Sequence, residues 1–151
     1  MLTSLKIIDH IHADTKIIDE ISLSYEDRFI RRKKLIANNG TEFLVNLEET
    51  KNVDENYYFK LDSGEAIKVI SKEENLMQIT GDNIKQIIWH IGNRHLPCQI
   101  EESRILIQED SVIKEMIIKL GGNIINVVEK FKPEGGAYGM GRTHSHQHYY
   151  E

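Results

Sequence analysis

The hydrophobic pattern of this chain changes its period near residue 75, and that change limits the folds open to it. Across residues 2–75 the apolar residues come in short runs rich in Ile, Val, Leu, Phe and Tyr, without a long stretch at helical spacing. Asn38-Asn39-Gly40 separates the runs 33–36 and 42–45, and Asp62-Ser63-Gly64 separates 57–61 from 66–70. Glycine supplies the positive φ of a tight turn, so both stretches predict β-hairpins. Ser24, followed three residues later by Asp27, predicts a single helical turn.

Lys72-Glu73-Glu74-Asn75 is a polar patch and the expected domain boundary. Beyond it, 76–80 reads as a short strand and Gly81-Asp82 as turn and helix cap. Ile84, Ile87, Ile88 and Ile91 then mark one face of an amphipathic helix that Pro97 closes. Residues 98–101 and 104–108 predict two short strands. Asp110 or Ser111 caps a second helix carrying Val112, Ile113, Met116, Ile117 and Leu120 on one face, Gly121-Gly122 stops it, and 124–128 supplies the last strand. The order β, α, β, β, α, β is that of a ferredoxin-like sandwich. After Pro133 the glycine-rich sequence predicts a mobile tail. The expected architecture is therefore α+β: a β-rich domain at 1–75, a ferredoxin-like βαββαβ domain at 76–132, and a flexible Gly/His tail at 133–151.

Composition removes several functions. With 24 acidic against 19 basic residues the chain carries net −5 and lacks the basic excess that drives phosphate binding, and Ile105-Leu106-Ile107 offers no aromatic platform for RNA. No apolar run approaches the ~20 residues of a membrane span. A lone cysteine, Cys98, and an N-terminus that meets acids too early for a signal peptide point to the cytoplasm. There is no phosphate-binding loop, no marked nucleophile and no paired-carboxylate motif, so an enzyme is not expected.

The seven histidines carry the remaining signal. His144, His146 and His148 alternate near the C-terminus, spaced for one ion, and neutral imidazole suits nickel, copper and zinc. The competing reading is a tag or a solvated tail. His90 and His95 stand five apart, a step of ~500° on a helix, so their rings would diverge by about 140° and could not share an ion there. His90 thus reads as structural. His95, beside Pro97, reads as accessible, and it becomes a site only if a two-fold axis brings a second copy. His10 and His12 could line a strand face, but with no third ligand nearby they read as ordinary surface histidines.

The block His90-Ile91-Gly92-Asn93-Arg94-His95-Leu96-Pro97, followed by Gln99-Ile100, resembles the central signature of the UreE family of urease accessory nickel metallochaperones. Phe131-Lys132-Pro133-Glu134-Gly135-Gly136-Ala137-Tyr138-Gly139 before a histidine-bearing tail, and Arg28 with Arg31-Arg32 before a hairpin, agree with it. The resemblance implies an N-terminal domain similar to a peptide-binding module and a ferredoxin-like domain that forms a homodimer. It also implies nickel bound by His95 and its symmetry mate, with His144, His146 and His148 completing the site. Zinc or copper would bind the same donors in vitro. Implied partners are a urease accessory GTPase and the urease apoprotein complex, with neither nucleic acid nor membrane. Residues 108–112, before the second helix, carry no histidine, which argues against auxiliary sites there. The alternative is a protein-interaction module, or a metal-responsive regulator, with incidental tail histidines.

Overall fold

The structure is a computed structural model and describes residues 1–135. The expected tail ligands His144, His146 and His148 lie outside the described residues. Two units are resolved by their internal packing, Met1–Lys72 and a second that begins at Glu73.

The alternating pattern of the first unit folds as strands: β1 (Leu2–Ile8), β2 (Ile17–Leu23), β3 (Phe29–Ile36), β4 (Glu42–Asn52), β5 (Tyr58–Leu61) and β6 (Ala66–Ser71). One six-stranded sheet results, in the order β2-β6-β5-β1-β4-β3. Both expected hairpins form, β3 against β4 and β5 against β6, and Gly40 and Gly64 turn them at φ +95 and +94. The expected helical turn is a 3-10 turn at Glu26–Arg28, entered by Asp27 N–H donating to the Ser24 hydroxyl. Phe43, Val45, Phe59, Ile67 and Val69 are fully buried at the core, with the Phe43 and Phe59 rings tilted 5.4 Å apart.

A buried carboxylate holds the curl of this sheet. Asp19 on β2 accepts from the backbone N–H groups of Glu20, Asn39 and Thr41 and from the Asn39 amide, and so ties β2 to the β3–β4 turn. Burial by itself raises the Asp19 pKa. The hydrogen bonds outweigh it and hold the carboxyl below its usual range.

The second unit runs β7 (Glu73–Thr80), α1 (Ile84–Asn93), β8 (Gln99–Ile100), β9 (Ile105–Gln108), α2 (Ser111–Lys119) and β10 (Asn123–Lys130). Its sheet is antiparallel, in the order β10-β7-β9-β8. Ile87 and Ile91 of α1 and Ile113 and Ile117 of α2 bury against Met77, Ile79, Ile105 and Ile107, so both helices cover one face. Among the described residues no helix is long and apolar enough to cross a membrane.

Three local expectations change. β7 starts at Glu73, because the polar residues read as a boundary patch pair with Val128, Glu129 and Lys130 of β10. The α1 cap is Asn83 rather than Asp82, and its side chain donates to the Leu120 carbonyl just beyond α2, joining the two helices. Helix α1 also stops at Asn93, well before Pro97. For α2 the cap is Asp110, whose carboxylate accepts from Val112 N–H at 2.9 Å and Ile113 N–H at 3.0 Å.

Candidate metal centre

Helix α1 ends in a hydrogen-bonded cap that places His95. The Leu96 N–H bonds to the Ile91 carbonyl and the His95 N–H to the Gly92 carbonyl, which together make a Schellman motif. In this motif the residue after the cap takes a left-handed conformation, and His95 has φ 58. Leu96, next along, packs against the helix–sheet core and pins the motif from inside. Helix α2 ends the same way, with Gly121 N–H on the Ile118 carbonyl and Gly122 N–H on the Ile117 carbonyl. There the left-handed position is filled by Gly121 at φ +85. One motif thus occurs twice, with glycine in one copy and an exposed histidine in the other. A side chain in the left-handed region costs roughly 1–2 kcal/mol that glycine avoids.

Since α1 has already ended, the divergence expected for His90 and His95 on one continuous helix does not describe them: His95 stands beyond the helix on its own turn. His90 is half-buried on α1, its ring edge-on to Trp89 at 5.0 Å. His10 and His12 lie in the loop after β1 rather than on a strand face, their ring centroids 6.5 Å apart, with His10 Nδ1 2.7 Å from the Asp9 carboxylate. Among the described residues no three His, Cys, Asp or Glu side chains are grouped so as to hold a metal ion.

Cys98 packs as a small apolar group against the core. Burial, with a smaller effect from the Glu134 carboxylate, pushes its thiol up to about 11, so it stays protonated at neutral pH and is a poor nucleophile or ligand.

Beside it lies a polar network that sequence reasoning missed. Arg104 donates Nε to Glu101 at 2.9 Å, Nη2 to Glu129 at 2.7 Å, and Nη1 to both Glu129 and Gln78 at 2.8 Å. Gln99 joins by giving Nε2 to Glu101 at 2.7 Å. Arg104 hydrogen bonds hold both the Glu101 and the Glu129 carboxyl below the usual range. Only the Glu101–Arg104 spacing was visible in the sequence.

The family model described as UreE urease accessory protein, C-terminal domain, matches residues 74–151. The chain is 50% identical to the urease accessory protein UreE of Ruegeria pomeroyi, with 86% of this chain and 87% of that relative covered. The chain belongs to the UreE family. Other UreE proteins agree, that of Rhodobacter capsulatus at 47% identity over 86% of this chain and 83% of the relative, and that of Azorhizobium caulinodans at 36% over 99% and 76%. Like these UreE relatives it is a urease accessory protein and not an enzyme.

Proposed function

We propose that this chain is a nickel carrier that delivers Ni2+ for assembly of the urease active site. The observation that carries the reading is the exposed His95 imidazole on left-handed backbone, at the position α2 gives to glycine. Strain of this kind persists where a particular side chain is needed. Membership in a family of urease accessory proteins supports a destination for the cargo.

One imidazole is too few donors for a specific site. In this reading His95 of a second copy and His144, His146 and His148 complete it, which makes the second unit a ferredoxin-like metal-binding and dimerisation domain. Neutral imidazoles bind nickel well yet exchange, as a carrier requires, and the same donors take Zn2+ or Cu2+ in vitro. The strand-rich first unit serves as a peptide-binding-like domain toward the urease accessory GTPase and the urease apoprotein, in the cytoplasm. The test is a nickel titration of the chain and of His95→Ala, with sedimentation to follow the dimer. The expected outcome is a tight site that His95→Ala loses while the dimer persists. Full-affinity binding by His95→Ala rejects the reading.

A further inference from the structure

Four successive cations, Arg31, Arg32, Lys33 and Lys34, sit on a strand that has a neighbour on one side only. Strand β3 is last in the order of the six-stranded sheet and pairs with β4 alone, so its other edge presents backbone N–H and C=O groups to solvent. Strand β2 reaches across beyond the end of β3, where the Asn38 N–H donates to the Glu20 carbonyl at 2.8 Å. All four cations are exposed. Register sorts them by face: Lys33 lies opposite the buried Val45 on the core side, whereas Arg32 and Lys34 lie opposite Asn46 and Leu44 on the outer side, about 7 Å apart. Arg31 stands at the bulge between Ile30 and Arg32.

The carboxylates of β4 do not absorb this charge. Glu42 pairs with Lys34 at 3.7 Å, both side chains more than half exposed, and Glu49 bonds Lys51 at 2.8 Å with Glu48 acting on the same lysine. Among the described residues no carboxylate lies within ion-pair distance of Arg31, Arg32 or Lys33. In a chain of net −5, β3 is thus a basic row without an acid of its own, flanked by two apolar side chains, Phe29 at 41% exposure and Ile36 at 64%. Cations on an edge keep a sheet from pairing with copies of itself. Protection alone gains nothing from exposed Phe29 and Ile36, whereas a strand of opposite charge gains from both kinds of group.

We propose that the free edge of β3 takes an acidic, extended segment of a partner protein as an added strand. The proposal rests on the reading of the first unit as a peptide-binding-like domain, and it names the surface and the chemistry. In strand addition, backbone hydrogen bonds supply affinity and alternate side chains supply selectivity. A run of acidic residues on the incoming strand projects to both faces by turns, so its carboxylates meet Arg32 and Lys34 on the outer face and Lys33 on the other. Guanidinium binds carboxylate through two parallel bonds, which makes Arg32 the anchor. An apolar residue beside the acids covers Ile36, which shares the outer face with Lys34.

The experiment uses the full-length chain and a fluorescein-labelled peptide of four successive glutamates flanked by valine and threonine, followed by anisotropy. Binding is expected, weakening with added salt, and roughly tenfold weaker in Arg32→Glu/Lys34→Glu. The same change of charge at two exposed lysines of the second unit, Lys85→Glu/Lys114→Glu, is expected to leave it unchanged. Urea midpoints of both variants should match the unaltered chain, which separates lost binding from lost fold. Amide exchange is expected to slow within residues 30–36 when the peptide is bound. Binding without that protection overturns strand addition. Equal losses in the two double variants, or equal binding of a glutamine-for-glutamate peptide or of oligothymidine, overturn recognition of an acidic strand by this edge. Full-affinity binding by Arg32→Glu/Lys34→Glu overturns the β3 site and leaves the domain reading standing, while a chain that binds neither peptide overturns both.

Discussion

At the scale of single residues, the proposed carrier role of His95 is set against stability. The two helix ends of the second unit use the same hydrogen bonds, and the one bearing histidine carries a backbone cost that the one bearing Gly121 does not. His95→Gly is therefore expected to stabilise the chain by about 0.5–1 kcal/mol, the left-handed penalty less the extra entropy that glycine brings to the unfolded chain. It should abolish tight nickel binding at the same time. Urea denaturation beside a nickel titration measures both, and a destabilised His95→Gly protein would mean that the imidazole holds the fold. His95→Ala keeps the penalty and should lose nickel with little change in stability. The sequence pointed to His95 as accessible beside Pro97, which is true of its exposure, but nothing in a string of side chains reveals φ 58.

At the scale of elements, helix faces and strand runs follow from local periodicity, whereas the junctions between elements depend on close approach. Gly122 is the clearest case. A Cβ built there would sit 2.7 Å from Ile117 Cγ2 and 2.8 Å from Ile87 Cδ1, so the turn after α2 admits no side chain between the two helices. Gly122→Ala is expected to cost about 1–3 kcal/mol, read as a lower urea midpoint at an unchanged slope. A midpoint equal to that of the unaltered chain would mean the helices separate freely. Asp110→Ala, which leaves the Val112 and Ile113 amides without their acceptor, should cost about 1 kcal/mol by the same assay. Asp110 was one of two residues the sequence offered for this cap, and short-range chemistry sufficed to find it. The α1 cap was misplaced by one residue because Asn83 is recruited by Leu120, 37 positions away.

At the scale of the whole molecule, acid is expected to weaken both units through carboxylates that the fold keeps ionised. Asp19 in the first unit, and Glu101 and Glu129 in the second, have folded pKa values below their unfolded ones. Their contribution is complete above the unfolded values, near pH 4, and is lost as pH falls through the depressed folded values. Urea midpoints should therefore stay level in these groups' contribution between pH 7 and about 5 and fall below about 4. Asp19→Asn should lower the midpoint at pH 7 and flatten the acid limb, since an amide cannot accept the same bonds as a carboxylate and does not titrate. An acid limb as steep in Asp19→Asn as in the unaltered chain would show that Asp19 contributes nothing to it.

The β character of the first unit with its two hairpins, the element order of the second, the inward faces of both helices and the family signature around His95 were all present in the sequence. Each arises from residues a few positions apart, where periodicity, turn chemistry and capping act without knowledge of the rest of the chain. Tertiary structure alone decided that Asp19 clasps the turn at Asn39 and Thr41, that Arg104 gathers Glu101, Glu129 and Gln78, and that Lys132 and Glu134 meet Gln99 and Cys98. Most of these partners stand 20 or more residues apart, and they meet because the antiparallel order β10-β7-β9-β8 and the curl of the six-stranded sheet bring distant backbone together. Such meetings follow from strand order and packing, which no local run of side chains encodes by itself.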